Sequence, residues 1–570
     1  MRRAHRLFGR HARRTPLAVA ALTCALGAAA PVQAQVTPQL PPAADPGSIQ
    51  QRSLELERRL REERERRPES EPSIDREGLK PAPARKPAVT SSFLLKRIDF
   101  TTSELLSEET LRGLAATVEG REVTLAEVVE VVERINTLYR ERGIPTAQAV
   151  LPAQEVADGN VTIKLVEGRV GDILLEGNAS TADSFILSRL GQTKGELADV
   201  GALERSMMRF NRSQDVQLRA ELKPGAKFGE TDVALTAVEP PKHEMRVFAD
   251  TSGSYATGVY RAGVFYQNRS LFGFRDALSA SLIGAETGGH EGRALSYSIP
   301  LGTLGTRLTL SWFEDHTRIK NGPFAPLRIR GESTAWTALL RHPLLIGKNY
   351  QLDVLGGAKK RKTESWIEGR KFQSTDIDDV SAGVDAQWWE SDRIWTGSLT
   401  YSAGDADPID DVVSTSFKIW RGSVRRVQEF GEGWSVHNTV AFQYTRDENL
   451  TSSEQFLIGG EGSVRGYQTG LFSGDKGLIA SVELHHPLPQ APVAPIRTSG
   501  FLFLDYGAVE PFRPPESTRG SDTMASYGWG LNANINQNIS ARVTLGLPIR
   551  DRPQEPRGYY VHVQVVAQVF

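Results

Sequence analysis

Cysteine is all but missing. The 570-residue chain holds one, Cys24, inside an N-terminal stretch that reads as a removable leader. The mature chain is therefore expected to carry no disulfide and no thiol chemistry. Long apolar runs are missing as well: after residue 34 none reaches 18 residues, which excludes a helix that spans a bilayer. No sign of charge dominates. Lysine and arginine number 68, aspartate and glutamate 69, leaving −1, without the basic face that nucleic-acid binding requires. The mean hydropathy of −0.34 is that of a soluble protein, but barrel strands hide from such averages because only alternate residues need be apolar.

Catalytic and cofactor motifs are absent too. Gly460-Glu461-Gly462-Ser463-Val464-Arg465-Gly466 misses G-x-G-x-x-G by one residue and follows no βαβ unit. Gly462-Ser463-Val464-Arg465-Gly466 is not the G-x-S-x-G elbow of hydrolases. His485 and His486, adjacent on an alternating strand, face opposite sides and cannot share a metal as neighbours. The acids between Asp405 and Asp411 lack the glycine and terminal glutamate of a calcium loop. No enzyme, cofactor, nucleotide or metal is expected.

What is present starts with a leader. Residues 1–34 hold six arginines and no acid, so their removal takes the net charge from −1 to −7. A short apolar core from Leu17 to Leu26 and small residues before Gln35 complete a secretory signal peptide. Proline-rich residues 35–47 follow. Ser48 with Gln51 reads as a capping box that opens a helix over 48–67. Leu54, Leu56 and Leu60 are its only apolar anchors, and its second half is charged nearly all round. Such a helix cannot pack in an apolar core; it fits a hydrated pore as a plug, with a solvated, charge-rich spacer as the alternative. Residues 68–91, with five prolines, form an extended linker.

Residues 92–240 contain a repeat, each copy reading β-α-α-β-β. The first copy occupies 92–167 and the second 168–240. Thr124 with Glu127 caps the long helix of copy one, and Asp199 starts its counterpart. Val128, Val131, Val132, Ile135, Leu138 and Tyr139 form the buried stripe.

From 245 to 570 the apolar period becomes two, as in Ile539-Ser540-Ala541-Arg542-Val543-Thr544-Leu545. Small and polar residues facing inward would make a poor dry core but a good pore lining. At about 20 residues per strand and connection, this region makes roughly 16 antiparallel strands. Trp312, Trp388, Trp389, Tyr527 and Trp529 suit interfacial girdles. In the last strand Phe570 falls out of parity with Val565 and Val569, which a bulge would repair.

Alternation also singles out a charge. If Leu502, Leu504 and Tyr506 face lipid, Phe503 and Asp505 face the lumen. The glycine-rich segment 456–476 carries Val464-Arg465-Gly466-Tyr467. Folded into the pore, it would bring Arg465 to Asp505 as a lumen latch, with Val464, Gly466, Tyr467 and Phe503 completing the motif.

These pieces resemble the two-partner secretion translocators, the TpsB family of haemolysin and adhesin secretion/activation proteins within the POTRA-barrel superfamily. The resemblance rests on Tyr139-Arg140-Glu141-Arg142-Gly143, on Asp158-Gly159-Asn160-Val161 through Glu167-Gly168-Arg169-Val170, on Val464-Arg465-Gly466-Tyr467 and on Phe503-Leu504-Asp505. Ile144, often tyrosine in the family, and the unusually charged helix are its departures. It implies a transmembrane β-barrel in the cell outer membrane, in contact with its lipids, preceded by two periplasmic POTRA domains. It also implies a secreted, TpsA-type β-helical exoprotein as partner, bound unfolded by those domains, passed through the pore and activated. An outer-membrane protein insertion or assembly factor of the same superfamily is the alternative.

Overall fold

A computed structural model of the chain describes residues 42, 45–52, 74–75, 92–142, 144, 146–156, 158–408, 414–489, 496–510, 522–550 and 558–570. The signal peptide over 1–34 and the plug-helix leucines Leu54, Leu56 and Leu60 lie outside them.

The first described helix covers residues 46–52. Its cap is not the Ser48–Gln51 pair expected from sequence. The Asp45 carboxylate accepts from the Ser48 N–H at 2.8 Å, and Pro46 takes the first helical position, where its missing N–H costs nothing.

The first α/β unit forms because two amphipathic helices, Glu108–Ala115 and Leu125–Glu141, bury one stripe each. The expected capping box of Thr124 and Glu127 is in place. Val128, Val131, Val132, Ile135 and Tyr139 pack on Leu95, Ile98 and Ile163, while Leu138 lies half-covered at the margin of this core. The sheet runs Arg97–Phe100, Asn160–Val166, Gln148–Val150. Between the two helices Arg121–Thr124 forms a strand paired with Ser92–Leu95. The motif residues Tyr139 and Glu167 meet here: the tyrosine hydroxyl donates to the carboxylate at 3.1 Å.

The second unit repeats the plan with strand Arg169–Glu176, helices Asp183–Leu187 and Val200–Ser213, and strands Gln217–Pro224 and Glu230–Val238. Asp199 caps the longer helix by accepting from Ala202 N–H at 2.8 Å. The linker is not merely a spacer. Its Ile74–Asp75 adds a parallel edge strand to Gln217–Pro224, with Ile74 opposite Ala220.

Sixteen antiparallel strands then close into a barrel, from His243–Asp250 to Tyr560–Gln568, with Phe248 opposite Val566 at the closure. Leu502, Leu504, Tyr506, Tyr527 and Trp529 are exposed on the outer wall, while Phe503 and Asp505 are buried. Trp388 and Trp389 cannot both join an outer girdle, because neighbours on a strand face opposite ways. Trp388 is exposed; Trp389 lies under the guanidinium of Arg212, 4.2 Å from the ring centre. No bulge restores the parity of Phe570. The strand ends at Gln568, and Val569 and Phe570 are both exposed.

The second unit is seated on the barrel rim through polar contacts. Arg275, in a turn with φ 57° and almost fully buried, donates from Nε to Asp215 at 2.8 Å and from Nη1 to Ser180 at 3.1 Å. Arg307 donates to Gln214 at 3.0 Å, and Ala182 N–H to Gly273 O at 2.8 Å. This rim holds the turns around Arg275, Gly302 and Lys348.

Candidate functional site

Residues 446–475 join the barrel strands Ser435–Thr445 and Lys476–Pro487 and return into the lumen instead of pairing with the wall. Phe456–Ile458 and Phe472–Gly474 pair with each other as a short ladder. At its tip Gly459 and Gly460 adopt φ of 105° and 93°. A Cβ on Gly459 would lie 2.4 Å from Gln468 O, so the two legs of the loop meet only because these residues are glycine.

The turn delivers Arg465 to a buried carboxylate. Its Nε donates to Asp505 Oδ2 at 2.8 Å and its Nη2 to Oδ1 at 2.6 Å, a bidentate fork. The Arg465 backbone N–H adds a third bond to Oδ2 at 3.1 Å. Arg465 is 3% exposed and Asp505 0%, so water screens neither. The guanidinium lies over Phe503, 3.7 Å from the ring centre. Val464 packs with Ile458, Tyr467, Val509 and Met524. The Tyr467 hydroxyl sits between the carbonyls of Arg550 at 2.9 Å and Ala525 at 3.1 Å. Gly466 presses against the wall: a Cβ there would meet Ser526 Cβ at 2.6 Å. All six residues of the proposed latch motif therefore converge on one patch of barrel wall.

Sequence reasoning missed the rest of this cluster. Ser481 Oγ donates to Asp505 at 2.7 Å and accepts from Arg465 at 3.0 Å. Glu483 accepts from Arg465, and from Arg542 at 3.1 Å. His562 Nε2 donates to the Arg465 carbonyl at 2.9 Å. These groups come from three different strands, and only the barrel register brings them together.

A second clamp was equally hidden. Glu454, 1% exposed, accepts from Lys359 at 2.8 Å and Arg421 at 2.9 Å, with Arg361 at 3.4 Å. Arg361 also donates to Ser453 O at 3.0 Å. The cation run from Lys359 to Lys362 is its sequence trace, since alternation sends Lys359 and Arg361 to one face. At the loop base Asp475 accepts the N–H groups of Asn449 at 2.8 Å and Leu450 at 3.0 Å.

The N-terminal helix rests on both loop and wall. Ser48 Oγ donates to Ser452 O at 3.1 Å. The Gln50 amide donates to Ser333 O at 3.0 Å and accepts from Ser333 Oγ at 2.8 Å.

The chain thus combines a 16-stranded barrel, an α/β unit seated on its rim and a charge-clamped loop in its lumen. Residues 229–533, more than half of the chain, match the family described as haemolysin secretion/activation protein ShlB/FhaC/HecB. The chain belongs to that family. Residues 93–168 match the ShlB-type POTRA domain, so the first α/β unit is a POTRA domain. The heme/hemopexin transporter protein HuxB of Haemophilus influenzae strain 86-028NP is 24% identical over 471 residues, 79% of this chain and 82% of that protein. The outer membrane transporter CdiB of Dickeya dadantii is 24% identical over 478 residues, 80% and 83% of the two chains. The solved structure of CdiB from Escherichia coli matches the fold with TM-score 0.65 and 22% identity over 92% of this chain and 98% of that one. The protein is thus an outer-membrane transporter of two-partner secretion and not an enzyme.

Proposed function

We propose that the transporter takes a large TpsA-type exoprotein, unfolded, from its POTRA domains and passes it through the barrel, with the lumen loop and N-terminal helix as removable occupants. One observation carries this reading: the barrel wall closes on its own backbone ladder, while the loop is tied to it mainly by side chains. A loop so held can leave without opening the wall. Sheet edges in the POTRA domains suit an extended chain by strand addition. No nucleotide motif is present to drive transport, so folding of the β-helical partner outside the cell supplies direction, and activation follows from that folding.

In this reading Arg465 and Asp505 are the latch. Truncating one member of a buried ion pair costs about 3–5 kcal/mol, less where lumen water reaches the survivor. Arg465→Ala should therefore leave insertion intact and severely reduce secretion. Asp505→Ala should be milder, because Arg465 keeps Glu483. A double-mutant cycle on secretion tests the pair: removing the second partner should add little to losing the first. Strictly additive losses, with the loop equally ordered in every variant, reject the latch.

A further inference from the structure

His437, Glu483 and His485 form a second arrangement in the lumen, which shares Glu483 with the latch cluster. His437 lies on strand Ser435–Thr445; Glu483 and His485 lie on its neighbour Lys476–Pro487. Register sets His437 directly opposite Glu483, and His485 two residues on shares their face. Sequence excluded the adjacent pair His485–His486; the cross-strand neighbour His437 replaces the histidine that points away.

The three side chains converge. The imidazoles of His437 and His485 stack with centroids 4.0 Å apart and planes at 24°. His485 Nε2 is 2.7 Å from Glu483 Oε2. One ligand atom from each residue lies within 4.8 Å of the others, and no other group of three His, Cys, Asp or Glu side chains among the described residues does this.

We propose that His437, Glu483 and His485 bind a divalent transition metal of the zinc class near the POTRA-facing mouth of the barrel. Two imidazole nitrogens and one carboxylate oxygen are a ligand set that zinc accepts at about 2.0–2.2 Å, with the fourth position left to water. To reach that distance the two imidazoles must leave their stack, because rings 4.0 Å apart at 24° do not aim their lone pairs at one point. Metal takes Nε2 of His485, whose proton then resides on Nδ1. The carboxylate is already oriented for this task. Its Oε1 is held by Arg465 and Arg542 while Oε2 faces His485, the kind of outer support that ligating carboxylates have. Phe501, stacked on His485 at 4.9 Å, fixes that ring from its other side. The ligand set also selects, although the two guanidiniums oppose any dication alike. Calcium or magnesium, which need shells of oxygen, would find one carboxylate beside two positive charges, whereas a borderline metal gains two nitrogens.

The test uses full-length protein purified in detergent without a histidine tag and stripped with chelator, titrated with Co²⁺ as the spectroscopic probe. The wild type should bind one Co²⁺ per chain, with the strong visible bands of tetrahedral coordination, and Zn²⁺ should displace it. His437→Asn and His485→Asn should each weaken binding by at least about 10-fold, since even outer-shell changes cost ~10–100-fold. Heat-modifiable migration on a gel checks that each variant keeps its barrel. Independently of any variant, Zn²⁺ should protect His437 and His485 of the wild type from diethylpyrocarbonate, read by mass spectrometry. Absence of cobalt bands, undiminished affinity in a folded His437→Asn, His485→Asn double variant, or equal labelling with and without Zn²⁺ would each overturn the site.

Discussion

The two α/β units share one plan and differ at their edges. In the second, Gln217–Pro224 is covered by Ile74–Asp75 from the linker, and the unit is seated on the rim by Arg275 and Asp215. In the first, the corresponding strand Gln148–Val150 pairs on one side with Asn160–Val166, and among the described residues no strand lies on its other side. A sheet edge without a neighbouring strand is a template for another chain, although at Ala149 the Asn136 amide already takes the N–H at 2.6 Å and the carbonyl at 3.3 Å. Duplication of a fold need not duplicate its use: we propose that the first unit receives the partner and the second couples it to the pore.

The strongest way to break that division is to remove the receiver. Deleting residues 92–167 should abolish capture of the unfolded partner in a pull-down while the barrel still inserts. Full affinity in the truncated protein would move recognition to the second unit.

Next in size is the seat. Arg275→Ala leaves Asp215 with Arg269 at 3.6 Å, so the loss should fall near the lower end of the ~3–5 kcal/mol for a broken buried pair. Limited proteolysis should then cut between residue 238 and the first barrel strand faster than in the wild type. An unchanged cleavage rate would mean that the remaining rim contacts suffice.

A smaller effect is expected at the covered edge. Ile74→Pro removes a ladder N–H and should speed amide exchange along Gln217–Pro224 by roughly 5-fold, the equivalent of a hydrogen bond worth about 1 kcal/mol. Exchange identical to wild type would show that the linker strand does not protect this edge.

The smallest separates the helix caps. The Thr124 N–H, then the Arg121 side chain and the Thr124 hydroxyl, pull the Glu127 carboxyl from 4.5 down to about 2. A depressed folded-state value means that this contribution is present above pH 4.5 and is lost as pH falls towards about 2. Exchange of the Leu125–Glu141 amides should accelerate across that window in the wild type, and Glu127→Gln should remove that dependence. A variant with the same acid profile as the wild type would discard the cap as its cause.

Legibility followed the range of the interaction. The repeat, the long helices and the wall announce themselves through period, since 3.6 and 2 are local properties of the chain. The meeting of Arg465 with Asp505 is legible because alternation alone sends Asp505 inward. Ile74–Asp75 is not: two residues among prolines show no period, and the strand exists only because the second unit offers an edge. Arg121–Thr124 is masked because Thr124 also serves as the helix cap. Ser481, Glu483, His562 and Glu454 depend on the register of neighbouring strands, which no window of sequence contains. Barrel register also brought His437 beside His485.

The contact of Gly466 with the wall has a consequence of its own. A methyl on Gly466 would fall 2.6 Å from Ser526 Cβ, and one on Gly546, on the facing strand, 2.3 Å from Arg465 O. Loop and wall therefore meet with zero clearance on both surfaces, like a key and a ward cut to the same line. Charge attracts the loop to this place, but clearance decides whether it can go home. A single added carbon on either surface should jam the seat as surely as losing the arginine empties it, although neither glycine bears any chemistry.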